Sequence, residues 1–410
     1  MQASTSLRIH LSTTQLYKNL VWARLATQQN ISRSYHADST PVQPLALPRG
    51  YHSLLPLVHE CNNLILPHHP WHVDLDHKIA TRVQNGSFEE EEIVLPFLIA
   101  HDEREQPIGF IRPQVASALE DDHQRHLVSG SASPWDLRYS KGQPKILKSI
   151  AFAEWVNEGG KFTRTMHMDR IVAEWKKANM FTKILSNWSD EAYPVYTHPP
   201  LQVTPGHDPL AFAIERAALP LFGPVNFGAL LIAYVQDPVS KQTLLSIPRR
   251  ASYKRINPGK LDVTVGTGMG LGQTALGTIV HESVEEALLD PEYVQQNIRP
   301  VGVLPFPNRS PGGWILPGMY YLFDLPLPPD GSLNPRVNPL HRHVEKFELI
   351  SAEDVLQQLL EGKYKDTSAM AIIDFLLRHG YVTEETDPRY LEVCRLLKTD
   401  IKLPMAWRPH

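Results

Sequence analysis

Cysteine is nearly absent from this 410-residue chain: Cys61 and Cys394 are the only two. That excludes a disulfide framework, and no Cys/His spacing matches a structural zinc site, so a reducing compartment is expected. No apolar run approaches the length of a membrane span, and no membrane association is expected. The formal net charge of -4 removes any global electrostatic case for binding nucleic acid. There is no internal repeat, no GxGxxG and no Walker pattern. Residues 1–35 lack Asp and Glu altogether but carry Arg8, Lys18, Arg24 and Arg33 among many Ser and Thr. This is the composition of a mitochondrial transit peptide, and equally that of a tail that happens to lack acids. The expected location is mitochondrial in the first case and cytoplasmic in the second.

What is present is a globular composition, 42% hydrophobic and 20% charged, with 35 prolines spread through the connecting segments. After a proline-rich linker to residue 49, residues 50–200 read as an α/β extension. Residues 201–385 read as a second α/β domain, and 386–410 as a C-terminal tail. In the first part, Glu90–Ala100 and Gln106–Pro113 predict strands. Lys145–Asn157 and Met168–Lys177 carry apolar residues at helical spacing. In the second part, Pro209–Gly223 predicts an apolar helix with Glu215 and Arg216 at its edge. Phe227–Val235 predicts a central strand. Thr243–Ile247, Val301–Phe306, Met319–Leu325 and Val344–Ile350 predict further strands. Ser351 resembles a helix N-cap, and Thr367–His379 predicts a helix closed by Gly380.

The stretch Lys260–Asp290 carries the chemistry. It reads as an extended segment, a loop with Gly266, Gly268, Gly270 and Gly272, and then a helix over about Thr274–Leu289. Leu276, Ile279, Val280, Val284, Ala287 and Leu288 would form its apolar side. Glu282 lies three residues from Glu285 and four from Glu286, so their side chains converge on one line of the helix surface. Like charges so placed repel, and a hard cation such as Mg²⁺ or Mn²⁺ would reverse that. The same triplet is also common on exposed helix faces that bind nothing. Arg249, Arg250, Lys254 and Arg255 form a basic cluster just upstream. It is either a solvated loop or a phosphate-facing patch, in which Arg250 and Lys254 would join Gly268 and Gly272 at the phosphates.

This arrangement resembles the Nudix box: a glycine, a glutamate, and then Arg-Glu-U-x-Glu-Glu-x-Gly-U, with U apolar. Glu282, Glu285 and Glu286 match its last three glutamates. Thr267, Gln273 and His281 stand where Gly, Glu and Arg are expected, Ser283 takes the first U, and Leu288 and Leu289 cover the terminal Gly-U. The chain further resembles fungal and plant Nudix proteins related to the domain beside thiamine pyrophosphokinase. Shared landmarks are Gly109–Pro113, Trp188–Val195, Glu215–Gly223, Pro258–Asp262, His281–Ala287, Met319–Pro328 and Ala371–Val382.

The resemblance implies an α/β/α sandwich around a mixed sheet, with a smaller N-terminal α/β domain alongside. It implies hydrolysis of a pyrophosphate bond in a small-molecule diphosphate, a nucleoside diphosphate derivative or a thiamine diphosphate-like compound. The implied cofactor is Mg²⁺ or Mn²⁺ on Glu282, Glu285 and Glu286. Glu345 stands where such enzymes often carry a later ligand or base, while His343 replaces a further acid. A neutral His281 cannot reproduce a bidentate guanidinium, so the alternative is a weak or inactive domain that binds a nucleotide or a protein partner. A monomer or a homodimer is expected.

Overall fold

The computed structural model describes residues 43–65, 78–82, 88–102, 106–199 and 208–406. The expected transit peptide lies outside these residues. Strands β1 (Leu64–Ile65), β2 (Lys78–Arg82) and β3 (Phe88–Ile93) form a small antiparallel sheet. Strands β4 (Leu95–Leu98), β5 (Gly109–Ile111), β6 (Trp135–Tyr139) and β7 (Leu147–Phe152) form a second sheet in the order β5-β4-β7-β6, with β4 and β7 parallel. The helices Pro113–Val128 and Gly160–Lys177 pack their buried residues into the same core as this sheet.

Helical spacing in Lys145–Asn157 predicts a helix, but Leu147–Phe152 is a strand, followed by a short helix over Glu154–Glu158. The strand lies between β4 and β6, and its last four residues are all buried. A strand covered on both faces is a continuous apolar run, which periodicity alone cannot tell from a helix. The same effect overturns the helix expected over Pro209–Gly223. Strand β9 (Leu210–Glu215) pairs antiparallel with β8 (Ala192–Tyr196), and only a short 3-10 turn and one helical turn follow, through Phe222. Glu215 is buried there rather than at an edge. It accepts hydrogen bonds from the amides of Ser189 and Ala217, both at 3.0 Å.

The main sheet is mixed and six-stranded. Strands β10 (Asn226–Gln236), β11 (Thr243–Arg250), β12 (Val265–Gly268), β13 (Arg299–Phe306), β14 (Gly318–Leu327) and β15 (Val344–Ser351) run in the order β13-β14-β10-β11-β15. β10 is central: nearly all of it is buried, and it runs parallel to β14 along its length. Its other edge is shared. Gly228–Leu231 pair with β12, and Tyr234–Gln236 pair with β11. The sheet forks there, and the fork leads directly from β12 into the glycine loop. Arg249 and Arg250, of the basic cluster, end β11.

The carboxylate helix spans Ala275–Ala287, and its Ile279, Val280 and Ala287 join a core with β10 and β14 residues. The Ala352–Leu360 helix begins where Ser351 Oγ accepts from the Asp354 amide, and the Asp366–Arg378 helix is almost wholly buried. Ile401 and Leu403, in the expected tail, are buried beside Phe110 and Phe227. Among the described residues no helix is long and apolar enough to cross a membrane.

Candidate active site

Glycine is required where the fork opens. Gly228 and Gly268 face each other across β10 and β12. A Cβ on Gly228 would stand 2.6 Å from the Thr267 carbonyl oxygen, and one on Gly268 would stand 2.1 Å from Tyr193 Oη. Beyond β12 the chain turns. The Gln273 side-chain oxygen accepts from the Gly270 amide at 2.7 Å, and Leu271 donates to the Ala192 carbonyl at 2.9 Å. Gly272 takes a left-handed φ of +79° in open space. Thr274 then caps the helix through the Gly277 amide.

The helix does not bury all of the side expected from spacing. Leu276 and Leu288 are exposed, while Ser283 is fully buried. Ser283 replaces an apolar box residue at little cost because its hydroxyl donates 2.6 Å to the Ile279 carbonyl one turn back. Leu288 ends the helix with φ +51°, where the box has glycine. A left-handed leucine costs roughly 1 kcal/mol.

Glu282, Glu285 and Glu286 are all half-buried. Burial, followed by the charges of Glu286 and Glu285, pushes Glu282 up to about 7. His281 Nε2 stands 3.1 Å from Glu285, where the box has arginine. His343 Nδ1 stands 3.4 Å from Glu286. His343, the residue just before β15, therefore reaches the helix. Glu345, the expected later ligand or base, is exposed and accepts from the Ser252 amide at 2.8 Å, which holds its carboxyl below the usual range.

Among the described residues no three His, Cys, Asp or Glu side chains stand together at metal-ligand spacing. The donor chemistry nonetheless suits a hard cation. Burial, then the charges of Glu286 and Glu285, raises Glu282 on this helix, and Mg²⁺ characteristically takes only one or two carboxylates, completing its shell with water and phosphate oxygens.

Of the basic cluster, Arg250 is committed elsewhere. Its guanidinium donates to Asp262 at 2.7 Å and to the carbonyls of Asn257 and Ile256, both at 3.1 Å. It staples the Ser252–Lys260 loop and offers little to a phosphate. Arg255 donates to the Ser186 carbonyl at 2.9 Å. Lys254 is different. It is half-buried, and burial, then Arg250, pull its ammonium down while Glu286 opposes them.

Two groups beside the site belong to the Trp188–Val195 and Glu215–Gly223 segments, and spacing gave no sign of them as site residues. Tyr193 lies in β8 with its hydroxyl against Gly268. Burial pushes it up to about 12, with Glu282 among the charges it feels. Arg216 follows β9, and its Cζ lies 5.8 Å from the Tyr193 ring centre. The only signal for either was the presence of both segments among the landmark motifs.

The Gly268–Tyr193 contact carries a prediction. Gly268→Ala is expected to destabilise the protein by about 1–3 kcal/mol through overpacking. Tyr193→Phe, which removes the obstructing oxygen, is expected to recover a good part of that loss. Urea unfolding of the two single variants and the double variant measures the coupling, and strict additivity would refute the contact.

Residues 76–225 match the model of a family described as a domain of unknown function, DUF4743. An uncharacterized protein of Saccharomyces cerevisiae is 29% identical over 232 residues, which cover 54% of this chain and 64% of that protein. Nudix hydrolase 24, chloroplastic, of Arabidopsis thaliana is 30% identical over 271 residues, covering 63% of this chain and 68% of the plant protein. Among solved structures, a Nudix hydrolase from Alicyclobacillus acidocaldarius aligns with 36% of this chain and 89% of its own, at 12% identity and a TM-score of 0.29.

Proposed function

The chain belongs to the Nudix hydrolase family, and from that premise we propose that it hydrolyses a pyrophosphate bond in a small diphosphate compound. The substrate classes we favour are a nucleoside diphosphate derivative and a thiamine diphosphate-like compound, as the resemblance of the landmark motifs to the branch related to the domain beside thiamine pyrophosphokinase implies. The observation that carries the reading is Glu282: a half-buried carboxylate raised to about 7, with Glu285 and Glu286 beside it on one helix face.

Glu282 and Glu286 would hold Mg²⁺ or Mn²⁺, with Glu285 assisting. When bound, the cation supplies polarisation of the phosphoryl oxygens. The protein's own groups do the rest. Whichever carboxylate of the set is not consumed as a ligand would orient an attacking water or take its proton. Lys254, which feels the charge of Glu286, would neutralise phosphoryl charge. His343 keeps Glu286 turned toward the start of β15. Partial burial lowers the local dielectric and strengthens each of these interactions. We take the protein to act as a monomer or a homodimer, in mitochondria if the N-terminus targets it.

A second reading, binding of a nucleotide or protein partner without turnover, draws on the altered box. Gln273 spends its side-chain oxygen on the Gly270 amide, and His281 occupies Glu285. Turnover of a panel of diphosphate compounds, read as release of phosphate or of a phosphomonoester product with and without Mn²⁺ or Mg²⁺, separates the two. The parent is expected to give a metal-dependent signal that Glu286→Gln lowers by roughly tenfold or more. Equal release by both proteins would sink the catalytic assignment, and no release from any compound would favour binding without turnover.

A further inference from the structure

We propose that the segment ending at Arg216 builds the substrate-binding wall of the carboxylate site, with Arg216, held by Glu191 beside the Tyr193 ring, binding the phosphoryl group that is not attacked. This deepens the hydrolase reading and rests on it. It also gives a task to the end of the stretch that matches a domain of unknown function, residues 76–225.

Three anchors bring this segment to the glycine loop. The Leu271 amide donates to the Ala192 carbonyl at 2.9 Å. Tyr193 Oη fills the space left by the missing Cβ of Gly268. Arg255, from the loop that carries Lys254, donates to the Ser186 carbonyl at 2.9 Å and to Asn187 Oδ1 at 3.3 Å. Together they clamp the segment to both sides of the site's entrance, the glycine loop and the basic loop.

Arg216 is placed by its own strand. Its amide donates to the Glu191 carbonyl at 2.9 Å, continuing the β8–β9 pairing past its last register pair, and its Nη1 lies 3.1 Å from Glu191 Oε2. Its side chain is 52% exposed, so the ion pair with Glu191 leaves the remaining guanidinium donors within reach of solvent and ligand. One carboxylate on a five-donor fork orients it without saturating it. Arg216 and Lys254 lie close enough to depress Lys254 further, and Lys254 also feels Glu286. Two cations brought together beside a group of carboxylates are poorly matched to each other. A diphosphate chelating a cation at the carboxylates, and extending its second phosphoryl group toward Arg216 and Lys254, satisfies both halves.

Binding of inorganic pyrophosphate in the presence of Mg²⁺, followed by calorimetry on the full chain, tests the proposal. The parent should bind, and Arg216→Ala should bind about tenfold or more weakly, the scale for losing a charged hydrogen bond. Arg216→Lys should recover part of the affinity but not the bidentate share. Glu191→Gln should weaken binding less than Arg216→Ala. Thermal melting of each variant reports folding separately. Equal binding by the parent and a folded Arg216→Ala overturns this inference and leaves the hydrolase reading standing. Absence of binding by the parent, with no phosphate or phosphomonoester product from the diphosphate panel, overturns both. A metal-dependent hydrolase whose KM is unmoved by Arg216→Ala also overturns the inference alone.

Discussion

Glu282→Gln is expected to leave the metal-free protein more stable than the parent by on the order of 2 kcal/mol at about pH 8, while lowering phosphate release roughly a hundredfold. The reason is that burial and two neighbouring carboxylates make the Glu282 charge costly, raising its carboxyl to about 7 in the folded chain. An unfolded chain releases that proton near the ordinary value of about 4.3. The folded state therefore holds the proton more tightly. The associated stability is fully present below the unfolded value and is lost as pH rises through about 7. Glutamine carries no such charge, so the advantage of the variant should appear only across that window. Denaturant melts at about pH 4 and about pH 8 check this, and a stability difference of the same size at both would refute it. Adding Mg²⁺ at the higher pH should stabilise the parent and not the variant, because a cation compensates the charge that glutamine lacks. One carboxylate would then set both the instability of the site and its activity.

Asp262→Ala is expected to cost about 3–5 kcal/mol, the range for removing one partner from a buried ion pair. Asp262 is buried beneath the basic loop. It accepts from Arg250 at 2.7 Å and from the Val263 amide at 2.9 Å, bonds Ser368 Oγ, and has Lys365 at 3.7 Å. Burial raises its carboxyl, but Lys365, Arg250 and Ser368 together outweigh that and hold it below the usual range. With the folded value depressed, its contribution is present above about pH 3.9 and is lost as acidification passes through the folded value. The damage extends beyond stability. Arg250 ties Asp262 to the carbonyls of Ile256 and Asn257, so losing the carboxylate frees the loop that carries Lys254. Urea unfolding near neutral pH measures the loss. Removing both partners, as in Asp262→Leu with Arg250→Met, should cost much less than either single change. A single-variant loss below about 1 kcal/mol would mean that Arg250 rehydrates freely.

The strands Phe227–Val235, Val301–Phe306 and Met319–Leu325 were legible because each is a long apolar or alternating run between turn signals. The carboxylate helix was legible because its buried residues recur at helical spacing. Leu147–Phe152 and Leu210–Glu215 were misread for one shared reason. Short, largely apolar runs fit a helix or a strand locally, and only pairing with β4 and β6, or with β8, makes them strands. Ser283 looked like a broken box position, yet a hydrogen bond within the helix satisfies it. Along the chain, Arg250 and Lys254 stand out as equal candidates for a phosphate. Tertiary contacts divide the basic cluster: Arg249 donates to the Gly259 carbonyl, Arg250 is bound to Asp262, Arg255 to Ser186, and Lys254 feels the charge of Glu286.

The spacing of Glu282, Glu285 and Glu286 belongs to the sequence alone, since a helical repeat places them on one face in any fold. The altered positions Thr267, Gln273 and His281 are equally plain there. What those carboxylates feel is decided by tertiary structure. Burial against the sheet, His343 arriving from β15, and the wall of Tyr193 and Arg216 arriving from β8 and β9 all join residues far apart in the chain. Charge and solvation act through space, so the pattern of side chains on the helix could name the donors but not set their protonation or choose the cations opposite them.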